Sequence, residues 1–184
     1  MKTNHLIILL TVLFLQACTA QKTVSTIIGG EYNKKKDVTE YFVLPFGSTS
    51  IPGKWTKQEY NRTSKQQFFK NAENVSIAIA FAPIDRFEFN TKKAKTGYEF
   101  VKAYYDWEAE YFTQTHKMKT EIIEANENSN YIIWRVFDDS DNQRFDTYFL
   151  FGERNGNANN FSIGITDKWP IEKKIETLKR MFEG

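Results

Sequence analysis

Glu108 and Arg135 are the charged residues whose positions in the sequence could serve chemistry. Residues 97–114 have the periodicity of an amphipathic helix, and Glu108 falls among its aromatic residues. Arg135 is the one charge in the apolar segment 131–137. Because a carboxylate in apolar surroundings is costly unless it is paired, we expect a buried Glu108–Arg135 ion pair beneath the helix. The alternative is a carboxyl with a raised pKa that acts as an acid or base in an aromatic cleft.

Cysteine and histidine are too scarce for several common chemistries. The chain has one cysteine, Cys18, and two histidines. A zinc site needs about three or four such ligands, and a catalytic triad would have to use His116. That histidine lies in a polar stretch and is interpreted as an exposed loop residue. The sequence therefore predicts no catalytic, metal or cofactor-binding residues.

The densest acidic cluster is also interpreted as structural. It consists of Asp138, Asp139, Asp141 and Asp146. A calcium-binding loop would place a glycine where Arg144 stands and a glutamate further on, and neither is in register. Aspartate and asparagine favour tight turns for backbone reasons alone. We expect a hairpin turn here.

Aromatic residues are abundant, with 16 Phe, 9 Tyr and 4 Trp. Most of them follow the periodicity of a core. Trp55, Tyr60 and Trp169 lie near the ends of predicted elements instead. These three are the predicted platform for a ligand such as a glycan or a lipid.

The hydrophobic pattern predicts the elements that must position these residues. Strands are expected at 41–44, 55–60, 63–69, 75–82, 121–125, 131–137, 145–151 and 161–165, with helices at 97–114 and 170–182. Residues 47–53 are interpreted as turns. In the strand at 75–82, one face is small (Ser76, Ala78, Ala80, Ala82), so we expect a helix to pack closely on it. Short links between strands require antiparallel pairing. The predicted class is α+β, an antiparallel β-sheet with helices packed on its faces.

The N-terminal segment is predicted to be a targeting signal. A charged lead is followed by about ten mainly apolar residues, too few to cross a bilayer. The run ends in Leu15, Gln16, Ala17 and Cys18, which resemble the lipobox of bacterial lipoproteins. The resemblance implies that the signal is removed and that Cys18 is lipidated. We therefore divide the chain into a signal peptide (1–17), a lipidated cysteine with a flexible tether (18–38) and a single domain (39–184).

The element order over residues 42–182 resembles the PsbP-like fold, an α/β/α sandwich named for an extrinsic subunit of photosystem II. The resemblance lies in element order and hydrophobic pattern rather than in a motif. It implies a protein of a family whose members are mostly assembly or binding factors without a shared catalytic residue set. The chain also looks like the small lipoproteins of double-membraned bacteria.

These observations predict a lipid-anchored protein of the bacterial cell envelope. Thr19 follows the cysteine in place of an acidic residue, which resembles the signal for sorting to the outer membrane. We therefore expect the protein to be attached to the outer membrane and to face the periplasm. We expect a non-catalytic module that binds or scaffolds an unknown protein or glycan partner, attached to the membrane through its anchor. The alternatives are a glycan- or lipid-binding module with exposed aromatic residues, and a hydrolase that uses carboxylates such as Glu108. The formal net charge of +2 gives no reason to expect nucleic acid as a partner.

Overall fold

The computed structural model describes residues 25–138 and 145–184. The lipobox with Cys18, and Asp139 and Asp141 of the acidic cluster, lie outside the described residues. Within those ranges, none of the helices has the length and apolar character needed to cross a membrane. No group of three or more His, Cys, Asp or Glu residues in the same ranges is placed to hold a metal ion.

The described chain folds into two antiparallel sheets and two α-helices. The strands are β1 (Ile27–Gly29), β2 (Tyr32–Asn33), β3 (Val38–Leu44), β4 (Gly47–Pro52), β5 (Thr56–Asn61), β6 (Gln66–Lys70), β7 (Ser76–Pro83), β8 (Lys119–Asn126), β9 (Tyr131–Phe137), β10 (Asp146–Arg154) and β11 (Asn157–Ile163). The helices are α1 (Gly97–His116) and α2 (Ile171–Glu183), and two short 3₁₀ helices, Ile84–Arg86 and Glu88–Asn90, precede α1. The predicted combination of antiparallel sheet and helices is confirmed.

The larger sheet has the strand order β5-β6-β7-β11-β10-β9-β8. In the smaller sheet, β3 pairs with β1, β2 and β4. Two parts of this smaller sheet differ from the prediction. The tether was expected to extend to residue 38, but β1 and β2 within it are strands. Residues 47–52 are strand β4 rather than turns, because β3 supplies a pairing partner along their whole length.

Alternate residues of β9 divide the core into two clusters. Tyr131 and Ile133 join one cluster with Leu178 and Phe182 of α2. Ile132, Trp134 and Val136 join the other with Phe100, Val101 and Tyr104 of α1. Successive side chains of a strand point to opposite faces, so β9 is covered on both faces, as its apolar sequence predicts. We call these two faces the α2 side and the α1 side of the sheet.

Candidate functional site

A cavity of about 990 Å³ opens beside α1. This volume is at the upper end of the range for small-molecule sites, which are concave and mostly apolar. On the α1 side its lining is largely apolar and aromatic, with a few polar groups, and includes Phe68, Ala78, Ala80, Ala82, Tyr104, Trp107, Glu108, Tyr111, Phe112, Phe149, Phe151, Asn160 and Ser162. The cavity is the candidate binding site.

The cavity exists because side chains become smaller across the sheet. Residues paired directly on neighbouring strands lie on the same face. From β9 to β7, two such rows run Trp134–Phe149–Ser162–Ala78 and Ile132–Phe151–Asn160–Ala80. The helix α1 packs mainly on β8, β9 and β10, over the large residues. The expectation that a helix covers the small face of β7 is therefore wrong, and that face is the floor of the cavity.

One face of α1 forms the wall of the cavity. Tyr104, Glu108, Tyr111 and Phe112 are spaced at three and four residues, so they lie on one side of the helix. Tyr104 stacks on Phe151 of the floor, with ring centroids 4.0 Å apart and planes within 7°. This contact fixes the wall against the floor.

Two aromatic residues lie at the exposed edge of this wall. Trp107 is 39% exposed and Tyr111 is 51% exposed. The indole Nε1 of Trp107 donates a hydrogen bond to Oε1 of Glu88, at 2.7 Å. This bond ties the exposed indole to the segment that precedes α1. Trp107 and Tyr111 are thus aromatic residues that an incoming ligand can reach.

The cavity extends around the end of β6 to the α2 side of the sheet. β6 pairs with residues 76–79 of β7, whereas β11 pairs with residues 77–83. Residues 80–83 therefore have a described strand partner on one side only. Beyond this gap the lining continues with Tyr41, Val43, Phe46 and Tyr60. The guanidinium of Arg86 lies there, 5.5 Å from the ring centroid of Phe46.

Glu108 is the carboxylate of the cavity. Among the described residues that line the cavity, it is the only Asp or Glu. Within the described ranges its carboxyl forms neither a hydrogen bond nor an ion pair. Burial alone raises its pKa from 4.5 to about 7. The group therefore changes its charge near neutral pH, inside an apolar space.

Asn160 and Tyr104 add two more polar groups. Nδ2 of Asn160 donates to the Tyr104 hydroxyl at 2.9 Å. The other amide atom, Oδ1, is buried without a hydrogen-bond donor among the described residues. Burial raises the pKa of Tyr104, and the nearby charge of Glu108 raises it further. The phenol thus stays neutral beside the carboxyl.

The expected Glu108–Arg135 ion pair is wrong. Arg135 alternates with Trp134 on β9, so it lies on the α2 side of the sheet, away from α1. Its Nε donates to Oδ1 of Asp146 at 2.7 Å, which raises the pKa of Arg135. Its guanidinium also lies 4.4 Å from the ring centroid of Phe137. Glu108 was correctly singled out as anomalous, but the sequence assigned it the wrong partner.

The predicted aromatic platform is wrong for two of its three residues. Trp55 and Trp169 are 5% and 7% exposed and pack edge to face, with centroids 5.9 Å apart. Both indole N–H groups donate a hydrogen bond, Trp55 to the carbonyl of Pro52 and Trp169 to the carboxylate of Glu73. Tyr60 is 41% exposed and lines the cavity.

Sequence reasoning assigned Trp107 and Tyr111 to the core because they share the aromatic stripe of α1. Phe100 falls between them on the helical wheel and is fully buried, so periodicity did not signal their exposure. The small face of β7 was the available signal, because an uncovered small face leaves open space.

The structure also describes two other residues that the sequence analysis considered, His116 and Asp138. His116 is the last residue of α1 and is exposed, with its ring 5.0 Å from that of Tyr111. It was expected in a loop, and the helix instead extends to it. Asp138 donates its backbone N–H to the carbonyl of Phe145, at 2.9 Å, at the base of the β9–β10 connection.

The fold and its cavity define a small α+β protein with a ligand-sized space beside one helix. Neither a protein-family model nor a curated protein matches the chain. Among solved structures, it is similar to the solution structure of cyanobacterial PsbP (CyanoP) from Synechocystis sp. PCC 6803. The two share 11% sequence identity with a TM-score of 0.43, over 92% of this chain and 94% of that chain. The neighbour is a PsbP-like protein, the family that the element order resembles, and it assigns no function to the cavity.

Proposed function

We propose that this protein is a lipid-anchored binding module of the bacterial cell envelope that holds an amphipathic small molecule in the cavity beside α1. The observation that carries the proposal is the cavity itself, with its alanine floor and aromatic wall. A mostly apolar space with a few polar groups is the usual construction of a ligand site.

The composition of the cavity favours binding over hydrolysis. Glycoside hydrolysis needs two carboxyl groups on opposite sides of the scissile bond. The described lining supplies one, Glu108. A single carboxyl beside a neutral phenol is suited to recognising the polar end of a ligand. The cavity thus supports the lipid-binding alternative, and its partner is a small molecule.

Lipid anchoring is part of the same proposal and rests on Leu15, Gln16, Ala17 and Cys18. Thr26 and Ile28 line the cavity. Thr26 is eight positions after Cys18 in the sequence, and a fully extended chain of eight residues spans at most roughly 28 Å. An anchored protein would therefore keep the cavity near the outer membrane, facing the periplasm. A membrane is the nearest source of molecules with long apolar chains.

The proposed architecture follows from the resemblances to the lipobox and to the PsbP-like fold. We place the signal at 1–17, the lipidated cysteine and tether at 18–38, and the binding domain at 39–184 with β1 and β2 added to it. Its two helices would form the outer layers of an α/β/α sandwich of the PsbP-like type.

Binding is tested with the neutral amphiphile 1-dodecanol, titrated into the full chain carrying Cys18→Ser. That substitution removes the proposed acyl chains, which would compete for an apolar cavity. Burying eleven methylene groups and the terminal methyl group is worth roughly 10 kcal/mol before the costs of association, so we expect micromolar or tighter binding. Isothermal titration calorimetry measures the affinity directly.

Ala80→Trp fills the floor of the cavity and should reduce dodecanol affinity at least 10-fold. Ala125→Trp is the matched control, because Ala125 is exposed on the edge strand β8. Circular dichroism checks that both variants are folded. Equal binding by the two variants would place any dodecanol site outside the cavity and contradict the proposal.

A further inference from the structure

Glu108 lies in the cavity without the cation that a buried carboxylate normally has. In water a carboxylate is solvated, and in an apolar site its charge is costly unless an opposite charge accompanies it. Within the described ranges no lysine or arginine pairs with Glu108. The described cations that line the cavity are Lys65 and Arg86. The guanidinium of Arg86 lies over Phe46, and Lys65 lies between β5 and β6, whereas Glu108 is on α1.

The groups around Glu108 are suited to a cation. Tyr104, Tyr111 and Phe112 each lie one turn from Glu108 on the same side of α1, and Trp107 precedes it in the chain. The faces of aromatic rings attract cations, and the attraction grows when water is excluded. A carboxylate that lines a cavity together with these aromatic side chains therefore complements an ammonium group with apolar substituents.

From this arrangement we propose that the ligand is an amphipathic amine, whose ammonium group pairs with the Glu108 carboxylate while its apolar part lies on the Ala78–Ala80 floor. The inference rests on the proposed function, since it names the ligand class of the same cavity. An ammonium bound there supplies the missing positive charge and stabilises the ionised form of Glu108. Burial in turn strengthens the attraction, because the cavity is less polar than water.

The proposal predicts a specific order of affinities. Three probes share a twelve-carbon chain and differ in the head group: dodecylammonium chloride, 1-dodecanol and sodium dodecanoate. Each is titrated by calorimetry below its micelle-forming concentration, into the full chain carrying Cys18→Ser. At pH 8 we expect dodecylammonium to bind at least 10-fold more tightly than dodecanol, and dodecanoate to bind most weakly.

The preference for the amine should depend on pH through Glu108. At pH 5.5 the carboxyl is protonated, so the preference of dodecylammonium over dodecanol should fall to less than 3-fold. The other ionisable groups lining the cavity are Tyr41, Tyr60, Tyr104, Tyr111, Lys65 and Arg86. His116 contacts Tyr111 but lies outside the lining, and His116→Gln tests whether that imidazole contributes to the pH dependence.

Glu108→Gln is the decisive variant, because it removes the charge and keeps the shape. It should abolish the preference for dodecylammonium over dodecanol and the pH dependence of that preference. Glu110→Gln is the matched control, because Glu110 is exposed on the same helix and its substitution removes the same charge from the protein. Glu110→Gln should retain the full preference.

The outcomes separate this inference from the proposed function. In one outcome dodecanol binds tightly, loses its binding in Ala80→Trp and shows no weaker affinity than the amine at pH 8. That result overturns the inference that the ligand is an amine, and it leaves the cavity as a binding site. A preference for dodecanoate also overturns the amine. Failure of all three probes to bind overturns both proposals. An amine preference that survives in Glu108→Gln would assign the recognition to other residues and overturn the inference.

Discussion

The ring of Phe182 lies against the backbone of Gly152, in the space that a β-carbon at residue 152 would occupy. Gly152 is near the C-terminal end of β10, and Phe182 is in the last turn of α2. The absence of a side chain at 152 thus allows the C-terminal helix to pack directly on the sheet. Phe182 is itself 2% exposed and contacts Tyr131, with centroids 5.6 Å apart.

Gly152→Ala should therefore destabilise the protein. The new methyl group forces the Phe182 ring or the strand to move, and overpacking of this kind costs about 1–3 kcal/mol. Urea denaturation measures the change in the free energy of unfolding. Gly164→Ala is the control, because a β-carbon there would meet only the Ser76 carbonyl, at 4.0 Å. A Gly152→Ala protein as stable as the Gly164→Ala protein would contradict the packing.

Stability should depend on pH through Glu108. The folded pKa is about 7 and the ordinary value is 4.5, so the folded state holds this proton more tightly than the unfolded state. The contribution of Glu108 to stability is therefore fully present below pH 4.5 and is lost as the pH rises through about 7. At 1.36 kcal/mol for each pH unit between the two values, the loss is about 3 kcal/mol.

Glu108→Gln should remove this dependence. The variant should be more stable than the parent at pH 8, by up to about 3 kcal/mol, and within about 1 kcal/mol of it at pH 5. Urea denaturation at a series of pH values measures both proteins, with Glu110→Gln as the control. If Glu108→Gln is destabilised by the same amount at pH 5 and pH 8, the carboxyl must have a stabilising partner.

Arg135 and Asp146 should be energetically coupled, whereas Arg135 and Glu108 should not. The Arg135 and Asp146 side chains are 27% and 25% exposed, so their ion pair lies between the surface and buried classes. We expect a coupling energy of about 1–2 kcal/mol in a double-mutant cycle of Arg135→Met and Asp146→Asn.

The cycle of Arg135→Met with Glu108→Gln is the matched comparison, and it should be additive within about 0.5 kcal/mol. The two residues lie on opposite faces of the sheet, so they share no partner. Chemical denaturation of the parent, the three single variants and the two double variants measures the free energies of unfolding that both cycles need. If Arg135 is coupled to Glu108 and its cycle with Asp146 is additive, the partner of Arg135 is Glu108 rather than Asp146.

Cys18→Ser tests the anchor. If Cys18 is the acylated residue, the variant should remain unprocessed by the lipoprotein signal peptidase and should take up no labelled fatty acid. It should also leave the membrane fraction when the signal is replaced by a cleavable secretory one. Fatty-acid labelling in cells, followed by fractionation, measures each outcome. Continued labelling of the serine variant would show that another residue is the acceptor.

The sequence predicts the strongly periodic elements well. The strand at 131–137 and the start of α1 at Gly97 agree with the structure. Both segments have long apolar patterns whose burial dominates the local choice of conformation. β4 was missed because Gly47 and Pro52 are turn residues by propensity, and only its pairing with β3 makes this segment a strand.

The site was predicted less well because periodicity does not identify which helix covers which face. Alternation places Arg135 and Ile133 on one face of β9, but it does not say that this is the α2 side. Glu108 was noticed because a carboxylate breaks an apolar stripe. The cavity depends on the sideways displacement of α1 from the small face of β7, which is a property of the packing of the whole sheet.

The order of strands in the larger sheet also sets a gradient in resistance to hydrogen exchange. β10 is hydrogen-bonded on both sides, and most of its residues are buried, whereas β5 is an edge strand on which every residue is exposed. Amide protons should therefore exchange slowest in β10 and fastest in the edge strands β5 and β8. The Phe68 side of the cavity belongs to β6, which pairs with the edge strand β5. Local opening of β5 would loosen that side of the cavity while β10, beneath α1, stays closed.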